Sequence, residues 1–397
     1  MTTTEEIPQA ARERLDSLGA ADLVIALLTP SPTEALERLI RRARESVVRL
    51  YAPIRTVLLH AGEAPSDSSK DDFFRTVAIP SPAEPGAEPP IHTAFAVAGK
   101  MQARAVALIV SDPGDVTSEW IYRMVRPVLE LDFDLVAPCY AHGAFEGLLN
   151  SGIVAPLVRA LYGRRIEHPL GPDFGASGRL AQRFLETASP ARDPRVPSLA
   201  VEAVVHGLEV CQARVGVRRY PHTDWMNQSA MIRSILGPLF REIELRAPFW
   251  QRIRGSQDVP TFSDAVPAPK LGDVPDTKAL IQAFELGCQN LQEVWREVLP
   301  PGTLLELSRL ARLGTDGFRF PAKLWARIVY DFALGHRLRI LNPEHLLSAM
   351  TPLYLAWAAS YALELPGRDR AEQLALAFEE AKPYALSRWR WPDRFNP

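Results

Sequence analysis

Cysteine is scarce here. Only Cys139, Cys211 and Cys288 occur in 397 residues, scattered without the spacing of a metal-ligand or redox pair. Each reads as a small buried hydrophobe rather than a disulfide partner or ligand. An excess of charge is also missing, with 45 Lys plus Arg against 47 Asp plus Glu and a formal net charge of -2. No surplus of positive charge is left to neutralise a phosphate backbone or hold an anionic membrane surface, which argues against a dedicated nucleic-acid binder. The longest apolar runs, Leu23–Leu28 and Leu353–Leu363, fall short of the ~20 residues that span a bilayer. The polar N-terminus Thr2–Arg14 lacks a signal-peptide core. A soluble, cytoplasmic protein is expected. There is no P-loop, no His-Glu-x-x-His and no Gly-x-Ser-x-Gly, so the common phosphate, zinc and serine-nucleophile signatures are absent as well.

Proline, by contrast, is abundant: 35 residues, well above the ~5% of average chains. Arginine outnumbers lysine 39 to 6, so compositional bias accounts for much of the surplus. A 47% hydrophobic content over this length predicts two or three domains with sizeable cores.

Residues 1–19 carry no lasting apolar period and read as a tail or short helix. From Ala20 the pattern alternates. Strands are expected at Asp22–Leu28, Arg55–His60, Phe74–Ile79, Ala105–Val110, Asp134–Pro138 and Glu209–Arg214. Helices are expected at Pro32–Val48, Thr93–Ala103, Thr117–Leu131, Leu149–Leu161 and Ser198–His206, with a Pro-rich loop at Ser81–Pro90 and another loop at Ile166–Gly178. Such alternation predicts an α/β domain with a doubly wound, mostly parallel sheet over 20–255, whose ligands sit at the carboxyl ends of strands. Asp112 lies at such an end. Ser256–Pro275 is Pro-rich and poor in apolar residues, which predicts a linker. From 276 to 397 only helices are expected: Thr277–Val298, Thr303–Arg312, Pro321–His336, Pro343–Leu363 and Arg370–Leu386. This would be an all-helical C-terminal domain. Arg41-Arg42-Ala43-Arg44 reads as a solvated helix face.

Several segments carry a resemblance. Asp134-Leu-Val-Ala-Pro-Cys-Tyr140, Asn150, Pro156–Gly163, Ile166–Gly178 and Val210–Gly216, then Phe318–Phe332, Asn342–Leu355 and Lys382–Trp389, are together similar to the mannosylglycerate synthase-like and glucosyl-3-phosphoglycerate synthase-like glycosyltransferases. That resemblance implies the GT-A fold and transfer of a sugar, with retention, from a nucleotide diphosphate to a small acceptor such as a glycerate. It also implies Mg²⁺ or Mn²⁺ on the diphosphate, because the leaving group departs with extra negative charge.

The family's site residues map unevenly onto this chain. Its Asp-x-Asp falls on Val110, Ser111 and Asp112, leaving Asp112 as the metal carboxylate with Asp115 as a helper; Asp112 is equally read as a turn cap. Its Gly-Lys-Gly nucleotide turn falls on Pro90, Ile91 and His92, where proline offers no N–H and His92 is the one remaining candidate toward the nucleotide. The basic residue expected after the fifth strand is Ala141, and a threonine is replaced by Leu148. In the phosphate-facing loop Pro169-Leu-Gly-Pro-Asp173, Pro172 takes the second glycine position, while Gly171 and Asp173 remain. Gly171 would approach the nucleotide, and Asp173 would either orient a sugar hydroxyl as the catalytic carboxylate or cap the turn beneath it. A family carboxylate is missing near Arg195, and the metal-binding histidine maps to Tyr220, with His222 as a displaced substitute.

Two main readings follow, with a third beside them. One is a drifted transferase with Asp112, Asp115 and His222 on a metal, Asp112, Gly171 and His92 toward the nucleotide-sugar, and Asp173 at the sugar. The other is an inactive homologue kept as an interaction or regulatory subunit, either as a homo-oligomer or paired with an intact relative. A different small ligand in the same crevice is a third.

Overall fold

In the computed structural model the described residues are 7–29, 32–62, 73–79, 90–187, 198–220, 222–263, 273–364 and 368–392. The expected loop at Ser81–Pro90, apart from Pro90, and the position near Arg195 lie outside them. Contacts divide the chain into two units. The first takes the described residues of Met1–Ala141, Ile166–Arg219 and Asp258–Ala268; the second takes those of His142–Arg165, Tyr220–Gln257 and Pro269–Pro397.

The first unit is built on an eight-stranded sheet: β1 (Leu23–Leu27), β2 (Thr56–Ala61), β3 (Phe74–Ile79), β4 (Ala105–Ile109), β5 (Leu135–Ala141), β6 (Phe174–Ser177), β7 (Val210–Val217) and β8 (Thr261–Phe262). Their order is β8-β7-β5-β6-β4-β1-β2-β3. Every described pairing is parallel except those of β6, which runs antiparallel between β4 and β5. Central strands such as Leu-Val-Ile-Ala-Leu are buried along their whole length, as unbroken apolar runs must be when both sheet faces are covered. One face packs around Phe95, Leu180 and Phe184, the other around Leu36, Leu39, Trp120 and Met124. This is the doubly wound, mostly parallel arrangement that the alternating pattern predicts.

Three features depart from the expectation. The segment Ile166–Gly178 is not only a loop, because β6 completes the sheet within it and a helix, Gly178–Glu186, follows. Phe-Gly-Ala-Ser has no apolar run to signal a strand, yet its smallness is what the site demands. A Cβ on Gly175 would stand 2.0 Å from the Met124 carbonyl oxygen, so helix Ser118–Leu131 rests on bare backbone there. Second, Thr261–Phe262 pairs with β7 inside the segment read as linker. Third, helix Ile91–Lys100 begins two residues earlier than expected, which puts His92 in its first turn.

The second unit is helical. Asn150–Val154 forms a π-helical turn that runs into helix Ala155–Tyr162, and Ser229–Leu245 adds a helix that the sequence reading passed over. The expected helix Thr277–Val298 breaks at Leu291, and Pro343–Leu363 breaks at Met350. By length and composition alone Pro343–Leu363 is apolar enough to cross a membrane, but 67% of its most apolar window is buried. Helix Arg368–Arg390 closes the described chain and holds Arg159, whose guanidinium donates to Glu372 at 2.6 and 2.7 Å and to Glu379 at 2.8 Å. Cys139 and Cys211 are buried and Cys288 is half-buried, all three free.

Candidate functional site

At its carboxyl end β4 leads into Val110, Ser111 and Asp112, and β5 ends at Tyr140 and Ala141. Between these ends the chain returns through Gly171–Asp173 to start β6. Register pairs Leu108 with Phe174, so Asp173 stands opposite the residues that follow β4. Its carboxylate has no exposed surface. Oδ1 accepts the N–H groups of Val110 (2.7 Å) and Ser111 (3.0 Å); Oδ2 accepts the Ser111 hydroxyl (2.5 Å) and the Tyr140 hydroxyl (2.8 Å). Four donors make it a clamp between strand ends. The catalytic role expected for Asp173 therefore meets a carboxylate with no surface open to a sugar. The second expectation, a structural cap, matches the geometry. Burial first, and the Asp173 charge second, hold the Tyr140 hydroxyl well above the usual tyrosine range, with Arg218 working against them. The Arg218 guanidinium lies 5.0 Å from the Tyr140 ring centre and donates to the Gly171 carbonyl at 3.4 Å.

Gly171 has φ +71°, and a Cβ there would meet the Phe174 ring at 2.3 Å. Glycine is required on both counts. The next residue, Pro172, follows a cis peptide bond.

The turn beyond β4 is held from three directions. Asp112 is exposed, but its Oδ1 accepts the N–H of Gly114 at 2.7 Å, closing its own turn. Asp115 is buried and engaged at both oxygens by one residue: Oδ2 accepts the Arg219 N–H (2.8 Å) and Oδ1 accepts Arg219 Nε (2.6 Å). Arg42 donates to the carbonyls of Pro113 (3.0 Å) and Val116 (2.6 Å), so the expected solvated arginine face is in part a clamp on this loop. Thr117, rather than Asp112, caps the following helix by accepting the Trp120 N–H at 3.1 Å. The hydrogen bond that Arg219 donates to Asp115, then the charges of Asp115 and Asp112, raise the Arg219 guanidinium further above its already high range.

This donor set does not fit a divalent ion. Among the described residues no group of three His, Cys, Asp or Glu is gathered to hold a metal. Of the two carboxylates expected at a metal, Asp112 has one oxygen spent on a turn and Asp115 is paired with an arginine. His222 belongs to the second unit, is exposed and lies 2.9 Å from Asp273 through Nδ1. His92 packs its ring on Phe184, 5.3 Å between centroids, as part of a helix–helix contact rather than a phosphate-facing turn. In the second unit, Tyr220 packs edge-on to His142 at 5.7 Å.

Composition gave no hint of Arg218, Arg219, Arg42 or Tyr140. One signal was available: two consecutive arginines directly follow β7, the parallel neighbour of β5, and so stand at carboxyl ends. A cavity of the first unit, about 1350 Å³, lies at the opposite, amino ends of β4 and β5. Its charged rim is largely self-paired, Lys100 with Asp16 and Arg179 with Asp132 and Asp134.

No family model matches the sequence, and no curated protein matches it. Among solved structures, the chain is similar to glucosyl-3-phosphoglycerate synthase from Mycobacterium tuberculosis in complex with Mn²⁺, UDP and glucosyl-3-phosphoglycerate, at 17% identity and a TM-score of 0.39. That match covers 59% of this chain and 84% of the other. A complex of the same enzyme with Mn²⁺, UDP-glucose and phosphoglyceric acid aligns at 18% identity and TM-score 0.38, over 62% and 84% of the two chains. A structure described as a mycobacterial protein aligns at 18% identity and TM-score 0.39, over 59% and 79%.

Proposed function

We propose that this chain is a glycosyltransferase-like protein of the GT-A type that takes a nucleotide-diphosphate sugar at the carboxyl ends of β4, β5 and β7, with impaired transfer to a small acceptor such as a glycerate. One observation carries the reading. Positions the resemblance points to, far apart in the chain, form one bonded cluster where doubly wound sheets place ligands: Ser111, Tyr140, Gly171 and Asp173, joined by Arg218.

The chemistry of these residues is that of binding. Arg218 and Arg219 present guanidinium groups suited to bidentate recognition of phosphate oxygens. Asp173 and Ser111 fix the ends of β4 and β5, and the Arg218 N–H donates to the Ala141 carbonyl at 2.9 Å, which sets the end of β7 beside them. Breaking the sugar–phosphate bond leaves charge on the diphosphate, and preorganised donors for such charge are worth roughly 10²–10³ in rate apiece. A divalent ion, when bound, would supply that stabilisation, but the carboxylates here do not fit it. Asp173 and Asp115 are buried and engaged at both oxygens, and exposed Asp112 spends one oxygen on its own turn, so none of the three is held in place as a base.

The burial of Asp173 and the Asp115–Arg219 pair favour a second reading, an inactive homologue that binds without turnover and serves as a regulatory subunit in the cytoplasm, alone or beside an intact relative. Calorimetry with UDP-, GDP- and ADP-sugars, followed by a product assay with glycerate and 3-phosphoglycerate, tests both. Donor binding with slow product supports the first reading and donor binding without product the second. If no donor binds, both are wrong.

A further inference from the structure

The loop after β4 meets a cation supplied from the end of β7. Asp112 and Asp115 bring two negative charges to a strand end where the proposed ligand is itself anionic. Two carboxylates beside a diphosphate repel it unless positive charge intervenes, which is what a divalent ion ordinarily supplies. Here the positive charge is covalent. Arg219 spans Asp115 with its backbone N–H and its Nε, and a Cβ added to Gly114 would lie 3.1 Å from Arg219 Nη2 and 2.9 Å from Asp112 Oδ1. The guanidinium therefore borders both acidic residues across the tip of the turn. Arg218, the preceding residue, adds a second positive charge at the Gly171 carbonyl. Two arginines against two aspartates give the same balance that a divalent ion would give, and a guanidinium keeps its proton at any accessible pH.

We propose that Arg219 takes the place of the divalent cation at this site, so that an anionic ligand is bound there without metal. The ligand class rests on the proposed function; the absence of a metal site does not, because it can be measured on the protein alone. The Arg219 side chain is 73% exposed, so removing it empties no core. Without it Asp115 keeps the backbone N–H of residue 219 on one oxygen and has the other free beside Asp112. Two carboxylates of one short loop, three residues apart, are then left without the guanidinium, and such a donor pair can hold Mg²⁺ or Mn²⁺ with several waters.

The test is an electron paramagnetic resonance titration of free Mn²⁺ with the full chain and no nucleotide. The wild-type protein should leave the aqueous Mn²⁺ signal unchanged into the millimolar range. Arg219→Ala should deplete the signal, with affinity at least about tenfold tighter, as expected when a competing cation leaves a carboxylate ligand. Asp115→Asn in that background should restore the wild-type titration. Circular dichroism melting of Arg219→Ala verifies folding; if that variant fails to fold, Arg219→Gln, which retains the side-chain stem, replaces it. Micromolar Mn²⁺ binding by the wild-type chain that Asp112→Ala abolishes would overturn the proposal. So would a folded arginine variant that binds Mn²⁺ no better than wild type. Neither outcome depends on whether a nucleotide-sugar binds.

Discussion

Replacing Asp173 probes the strand-end clamp, and two substitutions separate the possibilities. Both fixed donors, the N–H groups of Val110 and Ser111, converge on Oδ1, whereas Oδ2 takes two hydroxyls. Asp173→Asn keeps an amide oxygen for the N–H groups. Its NH₂ then meets hydroxyls that rotate and accept, so all four contacts survive in altered polarity. The cost should be about 1 kcal/mol, the difference between charge-assisted and neutral hydrogen bonds. Asp173→Ala strands the two N–H groups in a buried site, each costing about 1–3 kcal/mol, and opens a small cavity besides. A loss of about 3–5 kcal/mol follows. Urea denaturation followed by circular dichroism reads both variants, taking the transition that the alanine variant moves, because two units need not unfold together. Hydrogen exchange at Val110 and Ser111 reports the same event locally. An alanine variant within about 1 kcal/mol of wild type, or one indistinguishable from the asparagine variant, would refute the clamp.

Gly175→Ala should destabilise the first unit by about 1–3 kcal/mol, since its Cβ meets a helix carbonyl and not a movable side chain; chemical denaturation measures this. Burial, and secondarily Arg14, lowers the pKa of His60 to about 4, and neither ring nitrogen has a hydrogen-bond partner. The unfolded chain takes up a proton near pH 6.5 and the folded chain does not, so this residue's contribution to stability is full above pH 6.5 and is lost as pH falls toward 4. His60→Leu should flatten the wild-type profile across that window; an unchanged profile in stability measured against pH would contradict the assignment. Arg159→Met should cost the second unit about 1–3 kcal/mol, discounted because Glu372 is half exposed, and thermal melting with and without 1 M salt is the check.

How much of this was readable in advance depended on how local each signal was. The apolar runs Leu23–Leu27 and Ala105–Ile109 announce buried strands by themselves, and so does the change to helix-only periodicity after residue 276. By contrast, β6 follows Phe174 with Gly-Ala-Ser, because Gly175 lies against a helix carbonyl, and that requirement is invisible until the helix carrying Met124 is placed. Helix Ser229–Leu245 escaped notice with Pro238 inside it. At the site, Asp112 was located by its position after a strand. Its actual environment was not, because the cation that replaces a metal sits 104 residues from Asp115. Asp173 was expected either at the sugar or as a turn cap, and its burial and four donors could not be read from the sequence because they come from Val110, Ser111 and Tyr140, at least 33 residues away. His92 and His222 were candidates because they fall at or near the family's nucleotide turn and metal histidine, and each has a packing or surface partner.

The proposed binding site makes a spatial claim that hydrogen–deuterium exchange with saturating nucleotide-sugar tests most directly. The account predicts protection concentrated in Val110–Val116, Tyr140–Ala141 and Gly171–Phe174 (Pro172 has no amide), with the same pattern in the presence of EDTA. Protection confined to the amino ends of β4 and β5, or protection that appears only with Mn²⁺, would contradict it.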